Sequence, residues 1–315
     1  MGRIILQGLQ PFEYEHRFDR MALEQLKKAK GFDTLVKAFY KHWAERLYKM
    51  QFAGSYLQVD KDNFPRIHRM LLNSCRIMEM EKIPALYIKY DYSVNAFVAG
   101  IEEPALVFHS GCLDLLTDDE LMYLFGHELG HIKSNHMLYR QISMVLPEIG
   151  KRLGYVTFGV GELAAQAITL ALLHWYRMSE FTADRAGLLT AQNIDASTTT
   201  LMKIAGLPER FYDKVNVESF KRQAQAFEDY DYERMDKAAK LFSVMGNTHP
   251  WTVMRAKELF NWQTEGGYAA TLNRYMDNTI MIICHKCDTT LKLPKRHKSV
   301  KVTCPKCQHS FIMQA

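Results

Sequence analysis

Apolar residues recur at every third or fourth position over most of the first eighty residues, which is the spacing of helices with one buried face. The pattern predicts two helices between residues 19 and 49, separated at Gly31. A further helix is predicted from Asn63 to about Met80, ahead of Pro84, which cannot continue it. The beginning of the chain is therefore expected to be helical.

The hydrophobic pattern changes after Pro84. Three short apolar segments, at 85–90, 95–100 and 105–110, are separated by turn-forming residues, which predicts a small sheet. Thr117, followed by the acids at 118–120, is typical of a helix start, because the hydroxyl caps free N–H groups and the acids favour the positive end of the helix dipole. From about residue 137 onward the pattern is again helical, so we expect a mainly helical α+β fold.

The segment 153–176 contains a single charged residue, Glu162, and is long enough to span a bilayer, which takes about 20 apolar residues. Glycines and polar residues interrupt it, however, and an acid is costly in lipid. Its polar positions also form one narrow stripe on a helix: Glu162, Gln166 and Thr169, with Leu173 beside them. We therefore favour a mostly buried helix that shows one edge to a cleft, and keep membrane contact as the alternative.

Of the 315 residues, 48% are hydrophobic and 24% are charged, as in ordinary globular proteins. The net charge of +5 is uneven: the part from Cys284 onward has seven Lys/Arg and one acid, so about −1 is left for the rest. The first apolar run, at 4–6, is too short for a signal peptide. Two of the six cysteines, Cys75 and Cys112, stand alone, and the others form two Cys-x-x-Cys pairs, typical of metal binding in a reducing compartment. A cytoplasmic location is expected, with membrane association as the alternative.

The segment FGHELGH, residues 125–131, contains His-Glu-x-x-His. His127 and His131 are about one helical turn apart, so both imidazoles can face one metal ion. Glu128 lies beside the first histidine, where its carboxylate can take a proton from a zinc-activated water. The motif alone leaves open an ordinary surface helix whose two histidines bind no metal.

A zinc hydrolase needs a third protein ligand and an open fourth position. The segment SEFTAD, residues 179–184, places Glu180 and Asp184 on one face of a helix. Glu180 can complete a His-His-Glu site, and Asp184 can hydrogen-bond the outer nitrogen of a ligand histidine. Acids at this spacing are common on solvated helices, so the pair supports a zinc site only in combination with the upstream motif.

Four segments together resemble the HtpX and CAAX-prenyl-protease family of zinc metallopeptidases. They are VFHSGCLDLLTDDELMYLFGHELGHI at 107–132, SEFTADRAG at 179–187, NTHP at 247–250 with Arg255, and NAFVAG at 95–100. The resemblance covers about residues 15–262. It implies a gluzincin fold with proteolytic activity, Glu128 as the catalytic base, and three zinc ligands: His127, His131 and Glu180.

The resemblance also implies a substrate-binding strand. The sheet near Asn95, Ala96 and Phe97 is expected to offer an edge to an extended peptide, which an edge strand can hold through main-chain hydrogen bonds. In members of the HtpX type, membrane spans lie near the N-terminus and between the two zinc motifs. Here the first is missing and the second corresponds to the interrupted segment 153–176, so neither membrane-protein quality control nor a prenylated substrate is favoured.

Two further residues near the His-Pro motif have alternative interpretations. The resemblance places His249 near the active site, where an N–H donor can stabilise the oxyanion of a tetrahedral intermediate. Arg255 is expected to support the site in the same region. The structural alternative is a helix that starts at Pro250, with Arg255 in an ion pair.

The C-terminal part contains CHKC at 284–287 and CPKC at 304–307, separated by 16 residues, a spacing typical of zinc ribbons. Four thiolates can close one tetrahedral structural site: Cys284, Cys287, Cys304 and Cys307. The basic residues of this module could bind an anionic partner such as nucleic acid or phospholipid. We favour a solvated face on a module that recruits a protein or stabilises the enzyme, because no aromatic residue lies among the charges to stack on bases.

The sequence thus predicts a zinc metallopeptidase domain at 1–265, a linker at 266–283 and a zinc ribbon at 284–315. The leading hypothesis is a zinc-dependent endopeptidase acting on a peptide or protein, with one catalytic and one structural zinc. The alternatives are a zinc-ribbon adaptor for an anionic or protein partner, and a membrane-associated quality-control protease.

Overall fold

The structure, a computed structural model, describes residues 3–42, 45–153, 162–214, 216–226, 250–275, 279–294 and 300–313. Its helices are α1 (Arg17–Lys27), α2 (Phe32–His42), α3 (Glu45–Ser55), α4 (Pro65–Ile77), α5 (Ser110–Leu115), α6 (Asp118–Lys133), α7 (Met137–Leu153), α8 (Glu162–Ala191), α9 (Ile194–Ile204), α10 (Val217–Ala226), α11 (Thr252–Thr264) and α12 (Gly267–Arg274). Its strands are β1 (Arg3–Ile4), β2 (Leu57–Gln58), β3 (Ala85–Lys89), β4 (Ala96–Ala99), β5 (Ala105–His109), β6 (Thr279–Ile283), β7 (Thr290–Pro294), β8 (Val300–Thr303) and β9 (Ser310–Met313). The predicted mainly helical α+β fold is confirmed.

The helices of the first third largely follow the hydrophobic pattern. The predicted break falls at Gly31, whose φ of +88° is in the left-handed region that glycine adopts easily. The predicted second helix corresponds to α2, which ends at His42, and α3, which begins at Glu45, with residues 43–44 outside the described part. The next helix, α4, begins at Pro65, where the missing proline N–H has no helical partner to lose. The helix near the His-Pro motif begins at Thr252, so Pro250 does not start it.

The three predicted strand segments form one sheet together with β2. The strand order is β2-β3-β5-β4, with β3 parallel and β4 antiparallel to β5. All five residues of β5 are buried, as expected for a central strand. Within the described residues, β4 is an edge strand of this sheet.

The helix that carries His-Glu-x-x-His has a well-defined start. Thr117 precedes α6 and accepts the N–H of Glu120 at its hydroxyl, while the Glu120 carboxylate accepts the N–H of Thr117 at 2.7 Å. This capping box satisfies two N–H groups that a helix start leaves without partners. Lys203 of α9 also pairs with Glu120 at 2.7 Å, so the first turn of α6 is fixed to a neighbouring helix.

Small residues allow α6 and α8 to pack closely. A methyl group on Gly126 would overlap Thr190, one on Gly130 would lie 2.5 Å from Cβ of Ala186, and one on Gly187 would lie 2.8 Å from the Tyr123 ring. Side chains of ordinary size at these three positions would push the helices apart. Their absence allows residues of α6 and α8 to meet in one buried site.

The segment 153–176 falls on two helices, with residues 154–161 outside the described part. The C-terminal part of the segment belongs to α8, a helix of 30 residues. Leu172 and Trp175 are fully buried there, whereas Leu170 is 44% exposed, so this helix packs along one face. No helix in the described ranges combines the length and the apolar character that a membrane crossing requires.

The predicted linker at 266–283 contains regular structure in its described residues. Gly267–Arg274 form α12, and β6 pairs antiparallel with β7 of the ribbon and with β1 at the other end of the chain. Ile282, Leu291 and Phe311 are buried in the same hydrophobic core as α6. The proposed division into domains stays a prediction, but the segment before the ribbon is more than a flexible connection.

Candidate active site

Helices α6 and α8 bring the three predicted zinc ligands together. His127 and His131 lie on α6 and Glu180 lies on α8, and all three are buried. Nε2 of His127 lies 3.3 Å from Oε2 of Glu180, and Nε2 of His131 lies 3.4 Å from Oε1. One ligand atom from each residue lies within 4.8 Å of the others.

These distances fit a zinc ion. Zinc bonds to nitrogen and oxygen of about 2.0–2.2 Å, arranged tetrahedrally, place ligand atoms about 3.3–3.6 Å apart. Two imidazoles and a carboxylate also form one of the ligand sets found in catalytic zinc sites, which leave a fourth position open. The residues present therefore fit the metal that the sequence predicts.

Asp184 accepts four hydrogen bonds from three residues next to this cluster. Its Oδ1 lies 2.9 Å from Nδ1 of His127, and the Tyr123 hydroxyl donates to the same oxygen at 2.7 Å. Arg255 makes a two-point contact, from Nε to Oδ2 at 2.8 Å and from Nη2 to Oδ1 at 2.5 Å. The aspartate is thus held in place while it fixes the ring of His127, and Arg255 lies in an ion pair, one of the two roles considered for it.

Burial and charge act in opposite directions on the Asp184–His127 pair. Burial alone would raise the pKa of Asp184, but the Arg255 guanidinium and the His127 ring together outweigh burial and lower the pKa to about 2. Burial alone would lower the pKa of His127, but the hydrogen bonds that its ring donates to the Asp184 and Glu180 carboxylates raise it to about 9. A metal ion must therefore displace a proton from His127 when it binds.

Glu128 follows His127 directly in the sequence, and one of its carboxylate oxygens lacks a hydrogen-bond partner among the described residues. Its side chain is 2% exposed, and Oε2 has no hydrogen-bond partner among the described residues. Burial raises the pKa of this carboxyl, which makes its carboxylate a stronger base. A buried carboxylate with an unused lone pair is suited to take up a proton from a molecule that enters the site.

Arg140 was not indicated by the sequence, yet it contacts two of the three ligands. It donates from Nη1 to Oε1 of Glu180 at 2.6 Å and from Nη2 to the Tyr176 hydroxyl at 3.0 Å. The same Nη1 lies 3.0 Å from Nε2 and 3.4 Å from Nδ1 of His131. Being at similar distances from both nitrogens, it lies against the imidazole ring near Cε1 rather than on the lone pair of Nε2. The only sequence signal was a charged residue on the apolar face of α7.

His136 is a second contact that the sequence did not single out. It is 4% exposed, and its Nδ1 lies 3.0 Å from Nδ1 of His131, on the side away from Glu180. Its Nε2 lies 3.1 Å from Oδ2 of Asp19, on α1. The short spacing between His131 and His136 could have indicated this contact from the sequence. Asp19 could not have been found in this way, because it lies more than a hundred positions earlier.

The predicted substrate strand lies at the sheet edge. Asn95 directly precedes β4, and its carbonyl accepts the backbone N–H of His109 at 3.0 Å. Because antiparallel pairs alternate, Phe97 also pairs its backbone with β5, whereas the N–H and C=O of Ala96 and Val98 point away from it. This leaves main-chain groups at the edge for an added strand.

The start of β4 contacts Cys112 of α5, a thiol that the Glu128 carboxylate influences. The thiol of Cys112 lies 3.0 Å from the same Asn95 carbonyl. Burial, with a smaller contribution from the nearby Glu128 carboxylate, raises the pKa of Cys112 to about 12. The other predicted residue of this region, His249, lies outside the described residues.

The four ribbon cysteines form a second cluster. Sγ of Cys284 lies 3.7 Å from Sγ of Cys307, and Sγ of Cys287 lies 3.6 Å from Sγ of Cys304. Tetrahedral zinc with bonds of about 2.3 Å to sulfur places its ligand atoms about 3.8 Å apart. The arrangement fits a closed structural site. Cys75 and Cys112 are both buried.

Comparison with known proteins agrees with this geometry. The family model for Peptidase family M48 matches residues 61–263. The chain belongs to this family. The matched range contains both zinc motifs and Arg255, so the predicted relationship to zinc metallopeptidases is confirmed, and the M48 protein is a metalloprotease.

Relatives of this M48 protein include plant, bacterial and archaeal peptidases. It is 28% identical over 273 residues to the plastoglobule-localized metallopeptidase 48 of Arabidopsis thaliana, covering 86% of this chain and 78% of the relative. It is 24% identical over 216 residues to an HtpX protease homologue of Bacteroides fragilis, covering 59% and 65%. An HtpX homologue of Methanosarcina mazei is 26% identical over 175 residues, covering 48% and 59%. No solved structure matches the chain.

Proposed function

We propose that this M48 protein is a zinc-dependent endopeptidase that cleaves peptide bonds in a protein or peptide substrate. Glu128 is the catalytic base in this proposal. The catalytic zinc is held by three ligands: His127, His131 and Glu180. The single observation that carries the proposal is the buried Glu128 carboxylate, with an oxygen that lacks a partner, directly beside a three-ligand cluster of zinc-like dimensions.

Zinc bound there would supply Lewis-acid chemistry, polarising the scissile carbonyl and making water acidic enough to lose a proton near neutral pH. Glu128 takes that proton on its carboxylate as water attacks the carbonyl carbon, and it then gives the proton to the nitrogen of the leaving amine. The raised pKa of Glu128 favours proton uptake. Arg140 and Asp184 hold Glu180 and His127 in place during these steps.

The substrate binds as an extended strand beside β4 in this proposal. The N–H and C=O of Ala96 and Val98 are directed away from β5, and they can pair with the main chain of a peptide whatever its sequence. Such pairing would lead the scissile bond past the start of β4, near Glu128. His249 is proposed as the oxyanion donor on the resemblance alone.

The ribbon is proposed to hold a second, structural zinc on its four cysteines, as a module at 284–315 attached to the peptidase part at 1–265. Support comes from the Sγ separations and from the buried residues it shares with the main core. A closed four-thiolate site has no open position for a substrate, so this zinc would contribute to folding rather than to catalysis.

The decisive experiment compares the full chain with Glu128→Gln. Both proteins are expected to carry two zinc ions by elemental mass spectrometry, because glutamine leaves all seven ligands unchanged. Cleavage of a fluorescently labelled unstructured protein is expected to fall at least 100-fold, since the amide cannot accept the proton. Glu81→Gln, at an exposed position, serves as the isosteric control and should cleave normally. Undiminished cleavage by Glu128→Gln would exclude this mechanism.

A further inference from the structure

His131 directs Nε2 at Glu180, the third predicted zinc ligand, and directs Nδ1 at His136. The two Nδ1 atoms are 3.0 Å apart. On its far side, His136 presents Nε2 to Oδ2 of Asp19 at 3.1 Å. Both partners are buried, at 4% and 1% exposure, so water does not compete for these contacts.

The proton positions along this chain of contacts follow from a metal on His131. A metal takes the lone pair of Nε2, so the ring proton must be on Nδ1. Nδ1–H can then donate only if Nδ1 of His136 is the acceptor, which places the proton of His136 on Nε2. That N–H donates to Asp19, a carboxylate that only accepts. Every hydrogen bond in the series has one donor and one acceptor.

Asp19 is fixed by the helix that carries the third ligand. Trp175 donates Nε1–H to Oδ1 at 2.8 Å, and Thr182 donates its hydroxyl to Oδ2 at 2.6 Å. Both donors lie on α8, on either side of Glu180. Asp19 itself lies on α1, outside residues 61–263 that the family model matches. A segment beyond the family core thus reaches the metal site through His136.

Another buried histidine provides a comparison. His16, at 1% exposure, also faces a carboxylate, with Nε2 2.8 Å from Oε2 of Glu258. Its Nδ1, however, accepts the N–H of Phe18 at the start of α1 and contacts no zinc ligand. Burial and a carboxylate partner are therefore shared, and only His136 connects its carboxylate to a ligand.

We propose that His136 and Asp19 are positioning residues that fix the tautomer and the orientation of His131, as Asp184 does for His127. The inference rests on the proposed function, because it assumes zinc on His131. Each ligand histidine would then be connected by hydrogen bonds to a buried carboxylate. His127 bonds Asp184 directly, and His131 is connected to Asp19 through His136. Hydrogen-bond partners of this kind typically change metal affinity by about 10–100-fold.

The test uses two substitutions of His136 that differ in which nitrogen they replace. Asparagine places its amide oxygen near the position of Nδ1 and can still accept from His131, while glutamine reaches the position of Nε2 and leaves Nδ1 unreplaced. Retained zinc is measured on full chains dialysed against a chelator series, and the absorption spectrum is recorded after cobalt substitution. The ribbon zinc is the internal reference.

His136→Gln and Asp19→Asn are expected to lower affinity at the catalytic site about 10–100-fold and to alter the cobalt spectrum, while His136→Asn stays closer to wild type. A purely structural role predicts the opposite order, because the smaller asparagine leaves the larger cavity. His16→Asn, the matched control, should keep wild-type zinc affinity.

Wild-type zinc affinity and a wild-type cobalt spectrum in both His136→Gln and Asp19→Asn would overturn the positioning role of His136 and Asp19 but leave the proposed function intact. So would an equal loss in the His16→Asn control, since the effect would then come from general destabilisation. A wild-type chain that holds only the ribbon zinc would overturn the proposed function, and with it the positioning role of His136 and Asp19.

Discussion

At the scale of single residues, the contact between Arg255 and Asp184 depends on the shape of the guanidinium group. Two nitrogens reach two carboxylate oxygens at 2.8 and 2.5 Å, with both side chains buried. Lysine keeps the charge but offers no planar pair of donors. Arg255→Lys is therefore expected to lower zinc affinity at the catalytic site about 10–100-fold, measured by chelator competition.

Arg185→Lys is the matched control for Arg255→Lys. Arg185 lies on the same helix as Asp184, stacks on the Trp262 ring and donates to the carbonyl of Glu15. It contacts none of the zinc ligands among its described partners. If both lysine variants lose zinc equally, the two-point contact has no special role.

At the scale of elements, the site depends on how closely α6 approaches α8. A methyl group on Gly187 would lie 2.8 Å from the Tyr123 ring and 2.9 Å from the Tyr123 carbonyl oxygen. Gly187→Ala should therefore lower the free energy of unfolding by about 1–3 kcal/mol, despite the better helix propensity of alanine. It should also weaken zinc binding, since Tyr123 holds Asp184. Urea unfolding and chelator competition measure the two effects.

Gly54→Ala is the control for helix propensity. Gly54 lies in α3, and a methyl group there would have no atom within 4 Å. Without a clash, alanine should stabilise the chain by about 0.5–1 kcal/mol. A similar gain at Gly187 would contradict the close packing of α6 and α8.

At the scale of the whole molecule, the ribbon is connected to both helices of the site. β6 leads into Cys284 and pairs with β1, and Arg3 of β1 pairs with Asp119 in the first turn of α6. Arg3 also donates to the Ala191 carbonyl, and Ile4 makes two hydrogen bonds with the side chain of Gln192, just after α8. Asp288 of the ribbon accepts from Asn73 of α4 at 2.6 Å.

Loss of the ribbon zinc should therefore destabilise the peptidase part. Cys304→Ser is expected to remove one of two zinc ions and to lower the free energy of unfolding of the remainder by about 1–3 kcal/mol, the contribution of two or three hydrogen bonds. Metal analysis and urea unfolding followed at tryptophan fluorescence give both values. Lys306→Ser, exposed between two ribbon cysteines, should change neither. Unchanged unfolding of the zinc-depleted Cys304→Ser chain would show that the stability of the peptidase part does not depend on the ribbon zinc.

The sequence by itself determined the features that depend on local spacing. Hydrophobic period predicted α1, α4 and the strands β3 to β5, and Thr117 with its acids predicted the start of α6. His127 and His131 share a helix face whatever surrounds that helix, and each Cys-x-x-Cys pair forms its own turn. These features depend only on residues that are near one another in the sequence, which is why the candidate ligands could be named without a structure.

Only the tertiary structure decided which distant side chains meet. Asp19, His136 and Arg140 are ordinary polar residues in the sequence. His136 and Arg140 become contacts of the zinc ligands, and Asp19 becomes a contact of His136, because α1, α7 and α8 pack around one buried site. The pairing of β1 with β6 likewise joins the two ends of the chain. Local pattern carries no information on such pairs, since their partners are set by the packing of whole elements and by the cost of leaving a buried polar group without a partner.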